Sequence, residues 1–288
     1  MSARILGEMS SFTHRGFTLA YEERGEGASA TRPVVLLHGL LVSRKHNYPL
    51  ADALAERGNR VVLLDLLGHG ESDRPEDPRY YRMELFAAQV LALLDHLDVQ
   101  QAVIGGTSLG ANVALATAIE GPERTRGLFV EMPVLERGAM AAGAIFVPAT
   151  LTYRRLRRPA RSLAKMFNRV PRTWRERGPG LYADVVLDVL GQQPAASDAV
   201  LQGLLTGELA PHPSRRESIT LPTLIVGHEH DPLHPFSDAE ELHREISSSR
   251  LVQARSFFEL RFPPNRLSEA IADFLDELWK DPVASGEA

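Results

Sequence analysis

Short all-apolar runs alternate with stretches of helical spacing along the first half of the chain. Residues 34–37, Val-Val-Leu-Leu, and 61–64, again Val-Val-Leu-Leu, are continuous apolar runs that end at His38-Gly39 and Asp65. Runs of this length and β-branched content predict strands buried on both faces. Residues 17–22, 101–105 and 128–131 add three more strands, the first closed by the turn Gly25-Glu26-Gly27. Between them, residues 48–57 have helical spacing and stop at Gly58. Residues 83–97 repeat apolar positions at 86, 90, 93, 94 and 97, and 111–120 form a third helical stretch. Strand and helix in alternation predict a mostly parallel sheet with helices on both faces, an α/β class fold.

That rhythm breaks between 132 and 219. The segment reads as helices broken by Pro148, Pro159, Pro171, Pro179 and Pro194. It resumes with a strand at 223–226, a helix at 237–246, a strand at 251–254 and a closing helix at 266–279. The organisation expected is a core of 1–132 and 220–288 with a helical cap inserted at 133–219, and a polar tail at 281–288.

Composition narrows the classes. The 288 residues carry a formal net charge of −5, against nucleic-acid binding. With no cysteine there is no disulfide, thiolate metal site or Cys nucleophile. The N-terminal segment has no apolar core of the 7–15 residues of a signal peptide, and no run reaches the ~20 residues of a membrane span. A cytoplasmic location is the expectation. No strand end carries a dinucleotide fingerprint, and neither a cofactor nor a metal is expected.

Three motifs carry chemistry. His38-Gly39 follows a buried strand. Asp65-Leu66-Leu67-Gly68-His69-Gly70-Glu71-Ser72 follows the next. Gly106-Thr107-Ser108-Leu109-Gly110 lies between a strand and a helix, the context in which G-x-S-x-G is a nucleophile elbow. In this order the chain resembles the α/β-hydrolase superfamily over about 15–133 and 218–280. The resemblance implies a capped α/β-hydrolase fold with Ser108 as nucleophile. It implies the backbone amides of Leu40 and Leu109 as oxyanion hole, and Asp231, in the loop after strand 223–226, as the acid. Glu131 is a second acid candidate, because some members place the acid at the strand end before the cap.

A serine nucleophile needs a base. By resemblance that base is a histidine after the last strand, yet no histidine follows His243. Counting back from the closing helix places Phe257 there. The substitute bases are Glu259, His234 and His38. His14, His46, His96, His212 and His243 read as surface residues. Arg261, two residues beyond Glu259, is a candidate partner for it. The resemblance therefore implies a serine hydrolase of esterase type with an atypical or incomplete triad. The alternative is a non-hydrolytic ligand-binding or lyase-like member.

The cap adds two expectations. Residues 140–151 are small and apolar, which suits an apolar or acyl small-molecule substrate. From Arg154 to Arg177 ten Arg and Lys stand against one acid, Glu176. An apolar face beside such a basic one is expected to meet anionic lipid peripherally. The sequence carries no signal for an oligomeric state.

Overall fold

The computed structural model describes residues 9–25, 32–155, 193–229, 231, 233–256, 259–262 and 265–280. Eight strands form one sheet: β1 Met9–His14, β2 Phe17–Arg24, β3 Pro33–Leu37, β4 Arg60–Leu64, β5 Ala102–Thr107, β6 Thr125–Glu131, β7 Thr223–His228 and β8 Ser249–Ala254. Their spatial order is β1-β2-β4-β3-β5-β6-β7-β8. β2 runs antiparallel to both β1 and β4, and the remaining neighbours are parallel.

Alternate residues of each central strand go to opposite faces, as strand geometry requires. Val35, Leu37, Val62, Leu64 and Ile104 join one apolar cluster, and Val34, Leu36, Val61, Leu63 and Val103 the other. The first cluster is covered by α2 Met83–His96, α3 Leu109–Glu120 and α7 Phe236–Glu245. The second is covered by α1 Tyr48–Glu56 and α8 Arg266–Lys280. Every residue of β3 and β5 is buried, which is why those strands read as unbroken apolar runs.

Among the described residues, three helices lie between β6 and β7: α4 Glu136–Arg155, α5 Pro194–Thr206 and the short α6 Pro213–Arg216. The sequence reading breaks the first of these at Pro148, but α4 continues through it. Pro148 removes one backbone donor and frees the carbonyl of Ala144. Both residues are exposed, so water satisfies that carbonyl and the helix carries on. Pro194 starts α5 rather than breaking it, at a position where its missing N–H costs nothing. From residue 156 on, the basic run lies outside the described residues. Among the described residues no helix is long and apolar enough to cross a membrane.

Candidate active site

The parallel strands β3, β5, β6 and β7 end on one edge, where an α/β sheet presents its loops to ligands. In register, Leu37 pairs with Gly106, Thr107 with Glu131, and Glu131 with Val226. The loops after β3, β5 and β7 therefore meet.

Ser108 stands between β5 and α3 with φ 55° and ψ −112°. For a residue with a Cβ this region costs about 1–3 kcal/mol, and the surroundings must impose it. The amide of Ser108 donates to the carbonyl of Glu131 at 2.9 Å, and its carbonyl accepts from Asn112 at 3.1 Å. Gly106 and Gly110 make the turn sterically feasible. A Cβ on Gly106 would sit 2.4 Å from the Gly110 backbone, and one on Gly110 would sit 2.4 Å from the carbonyl oxygen of Leu37.

The loop after β7 brings a histidine to Ser108. Ser108 Oγ lies 2.8 Å from His234 Nε2, and His234 Nδ1 lies 2.8 Å from Asp231 Oδ2. Asp231 Oδ1 also accepts the amides of Leu233 at 2.8 Å and His234 at 3.1 Å. Asp231 thus folds its own loop into a turn and aims the imidazole three residues on. An ionised carboxylate only accepts, so Nδ1 carries the proton and Nε2 accepts from the Ser108 hydroxyl. Burial pushes the Asp231 carboxyl up. The bond from His234, with those two amides, outweighs it and brings the carboxyl to about 2.

Of the substitute bases, the structure brings His234 alone to Ser108. His38 is fully buried, and both ring nitrogens are used: Nδ1 donates to the Gly39 carbonyl at 2.8 Å and Nε2 accepts the Leu66 amide at 3.0 Å. Glu259 caps a C-terminal turn, accepting the Arg255 amide at 2.7 Å and pairing with Arg266 at 3.2 Å. Its sequence partner Arg261 reaches instead to Glu131, at 2.8 Å. Phe257 lies outside the described residues.

Glu131, the second acid candidate, is engaged by other groups than His234. It is fully buried, with its Oε2 accepting from Arg261 and from the Thr107 hydroxyl, and His228 Nε2 3.4 Å from its Oε1. Burial alone would raise its carboxyl. The Arg261 charge, together with His228 and Thr107, holds it well below the usual carboxylate range. Glu131 therefore ties the residue before the nucleophile to the C-terminal turn.

The motif at 65–72 is a brace. Asp65 is fully buried and accepts the amides of Arg44 at 2.7 Å and Glu71 at 2.9 Å, besides pairing with the Arg44 guanidinium. Ser72 Oγ donates to the Asp65 carbonyl at 2.6 Å and accepts from Ala20 at 2.9 Å.

A cavity of about 190 Å³ opens over Ser108. Its lining includes Leu40, Leu109, Met132, Phe146, Leu204 and Leu233, with Ser108 and His234. Leu109 is the first residue of α3, so its amide has no acceptor within the helix and stands at the positive end of the helix dipole. α4 brings Ala142 and Phe146 to this cavity while Met140, Ile145, Val147 and Leu151 remain exposed. His46, read as a surface residue from the sequence, also lines it. It sits on a short 3-10 turn, Arg44–Asn47, whose flanks Arg44 and Asn47 are buried.

A family model described as alpha/beta hydrolase fold matches residues 32–255. The AB hydrolase superfamily protein YisY of Bacillus subtilis is 28% identical over 250 residues, covering 83% of this chain and 88% of that protein. A 2-hydroxymuconate semialdehyde hydrolase of Pseudomonas is 37% identical over 98 residues, 33% of this chain and 34% of that protein. Among solved structures, the enol-lactonase from Burkholderia xenovorans is similar with a TM-score of 0.75 at 21% identity, covering 93% of this chain and 100% of that one. A thermophilic esterase from Thermogutta terrifontis gives 0.71 at 23% identity, over 96% of this chain and 99% of that one.

Proposed function

We propose a reaction for this chain from one premise: it belongs to the alpha/beta hydrolase fold family. The reaction is hydrolysis of an ester or lactone bond of a small, mostly apolar molecule, with Ser108 as nucleophile, His234 as base and Asp231 as the group that orients it. The observation that carries this reading is the pair of 2.8 Å contacts running from Ser108 Oγ through the His234 ring to Asp231. Relatives named hydrolase, enol-lactonase and esterase support the reaction class.

The proposed reaction runs through two tetrahedral intermediates. Ser108 Oγ attacks the carbonyl carbon as its proton passes to His234 Nε2. The carbonyl oxygen becomes an anion held by the amides of Leu40 and Leu109, each such donor being worth ~10²–10³ in rate. The imidazolium, stabilised by Asp231, returns the proton to the departing alkoxide, which leaves an acyl-serine. Water attacks that ester, giving its proton to His234. The second tetrahedral anion then collapses, and Ser108 recovers its proton as the acid is released.

Hydrolysis of p-nitrophenyl butyrate tests this. The wild type turns it over, and Ser108→Ala loses about 10⁴–10⁶-fold in kcat with its fold intact by circular dichroism. Equal turnover by Ser108→Ala contradicts the reading.

A further inference from the structure

The cavity is apolar apart from a few side chains, and nearly all of those are already engaged. Asn112 Nδ2 donates to the carbonyls of Val134 at 2.8 Å and Leu209 at 2.6 Å, and its Oδ1 accepts the Val134 amide at 3.1 Å. Thr107 gives its only hydroxyl proton to Glu131. Ser108 and His234 hold each other. Among the described lining residues, His46 is the polar side chain that makes no hydrogen bond within the protein.

Its position is fixed. The His46 amide donates to the Ser43 carbonyl at 3.0 Å. The preceding Arg44 is buried and anchored by Asp65, by Glu22 at 3.2 Å and by Glu71 at 3.2 Å. The imidazole is half-buried at the cavity wall, within electrostatic reach of Arg261, Glu131 and His38. Burial, and then the Arg261 charge, bring it down to about 3 against the opposing pull of Glu131. At working pH it is neutral, with one nitrogen to donate and one to accept. A neutral imidazole recognises an uncharged oxygen and offers no charge to a carboxylate or phosphate.

We infer that His46 is the polar recognition residue of this cavity, and that the substrate is a compact, otherwise apolar ester or lactone carrying one uncharged hydrogen-bonding oxygen beyond the scissile bond. This rests on the hydrolase reading above and names its substrate class. A purely apolar ligand would leave the imidazole buried and unpaired, and a site built to pair with a polar group rejects the analogue that lacks it. The size fits: a cavity of about 150 Å³ accepts a benzene ring, so this one takes about one substituted ring or a short branched chain.

The test uses methyl hexanoate and its 3-, 4- and 5-oxo analogues, with acid release followed by pH-stat. Wild type is expected to favour at least one oxo ester over the parent by about 10–100-fold in kcat/KM. His46→Phe brings that ratio toward 1, and His46→Gln, which still donates and accepts, retains part of it. A ratio is indifferent to the fraction of variant that folds. A ratio unchanged in His46→Phe, or a wild type that favours methyl hexanoate over every analogue, overturns the inference. Binding of the same four esters to Ser108→Ala, read by saturation-transfer NMR competition, gives the selectivity without turnover. Selective binding there with no hydrolysis by wild type sinks the hydrolase reading and leaves the role of His46 standing. Unselective binding with hydrolysis intact does the reverse.

Discussion

Three atoms lie in line at Ser108: its own Oγ, Nε2 of His234 and, behind the ring, Oδ2 of Asp231. Asp231 does two things that are separable by substitution, since one oxygen shapes the loop through amides and the other holds the imidazole tautomer. Asp231→Asn keeps the size and part of the turn but offers an amide where Nδ1–H needs an acceptor. We expect kcat on p-nitrophenyl butyrate to fall about 10³–10⁴-fold with little change in KM. A fall of less than tenfold would show that another group orients His234. The places of Ser108 and Asp231 in this line of contacts, and of Leu40 and Leu109 in the cavity lining, are legible in the sequence because each sits in or beside a motif at a strand end. The proposed base is harder to see. The resemblance directs the search to the C-terminal strand, where Phe257 stands in its place, whereas the chain supplies an imidazole from the acid's own loop. The spacing Asp231-x-x-His234 is the signal. An Asp that bonds the amides two and three residues on curls the loop back and brings the third side chain beside its second oxygen. His46 escaped for a different reason: nothing in a polar stretch such as Arg44-Lys45-His46-Asn47 marks which member lines the cavity.

At the scale of elements, legibility follows burial. β3, β4 and β5 are read to within two residues, because strands covered on both faces are largely continuous apolar runs. The helices α2 and α8 are equally plain, each showing one apolar stripe. β1 is missed. Only Phe12 of its six residues is buried, so an edge strand of this kind carries almost no pattern. Its one clue is Arg15-Gly16, both at positive φ, the two-residue turn that pairs His14 with Phe17. The helix α4 is read as broken because proline is weighted as a stop, while its exposure on the outer face makes the lost bond tolerable. The elbow shows how element and residue depend on each other: β5 and α3 cross so closely that only Gly fits at 106 and 110, and that closeness holds Ser108 in its costly conformation.

At the scale of the whole molecule, the Glu131–Arg261 pair joins the centre of the sheet to the C-terminal turn. Both side chains are buried, at 0% and 2% exposure. Removing one partner of such a pair leaves an uncompensated buried charge, so Glu131→Gln is expected to cost about 3–5 kcal/mol at pH 7 in urea denaturation. The sign of the pH dependence is fixed by the depressed carboxyl. In the unfolded chain Glu131 takes a proton near pH ~4.3, and in the folded protein only at much lower pH. Its contribution is therefore complete above that value and declines as pH falls below it, by about 1.4 kcal/mol per unit. The stability gap between wild type and Glu131→Gln should narrow between pH 5 and pH 3. A gap independent of pH would mean that folding does not shift the Glu131 carboxyl, and a gap that widens as pH falls would mean that it is neutral in the folded protein. The pairing joins β6 to a turn 130 residues later, a separation at which sequence pattern is silent. The central claim is that His234, supplied by the loop after β7, is the base for Ser108, and the rate of covalent labelling by a fluorophosphonate reads it directly. Wild type is expected to label at Ser108, His234→Ala to label at least ~10³-fold more slowly with the fold intact, and Glu259→Gln to label at the wild-type rate. Labelling of His234→Ala at the wild-type rate would contradict that role for His234.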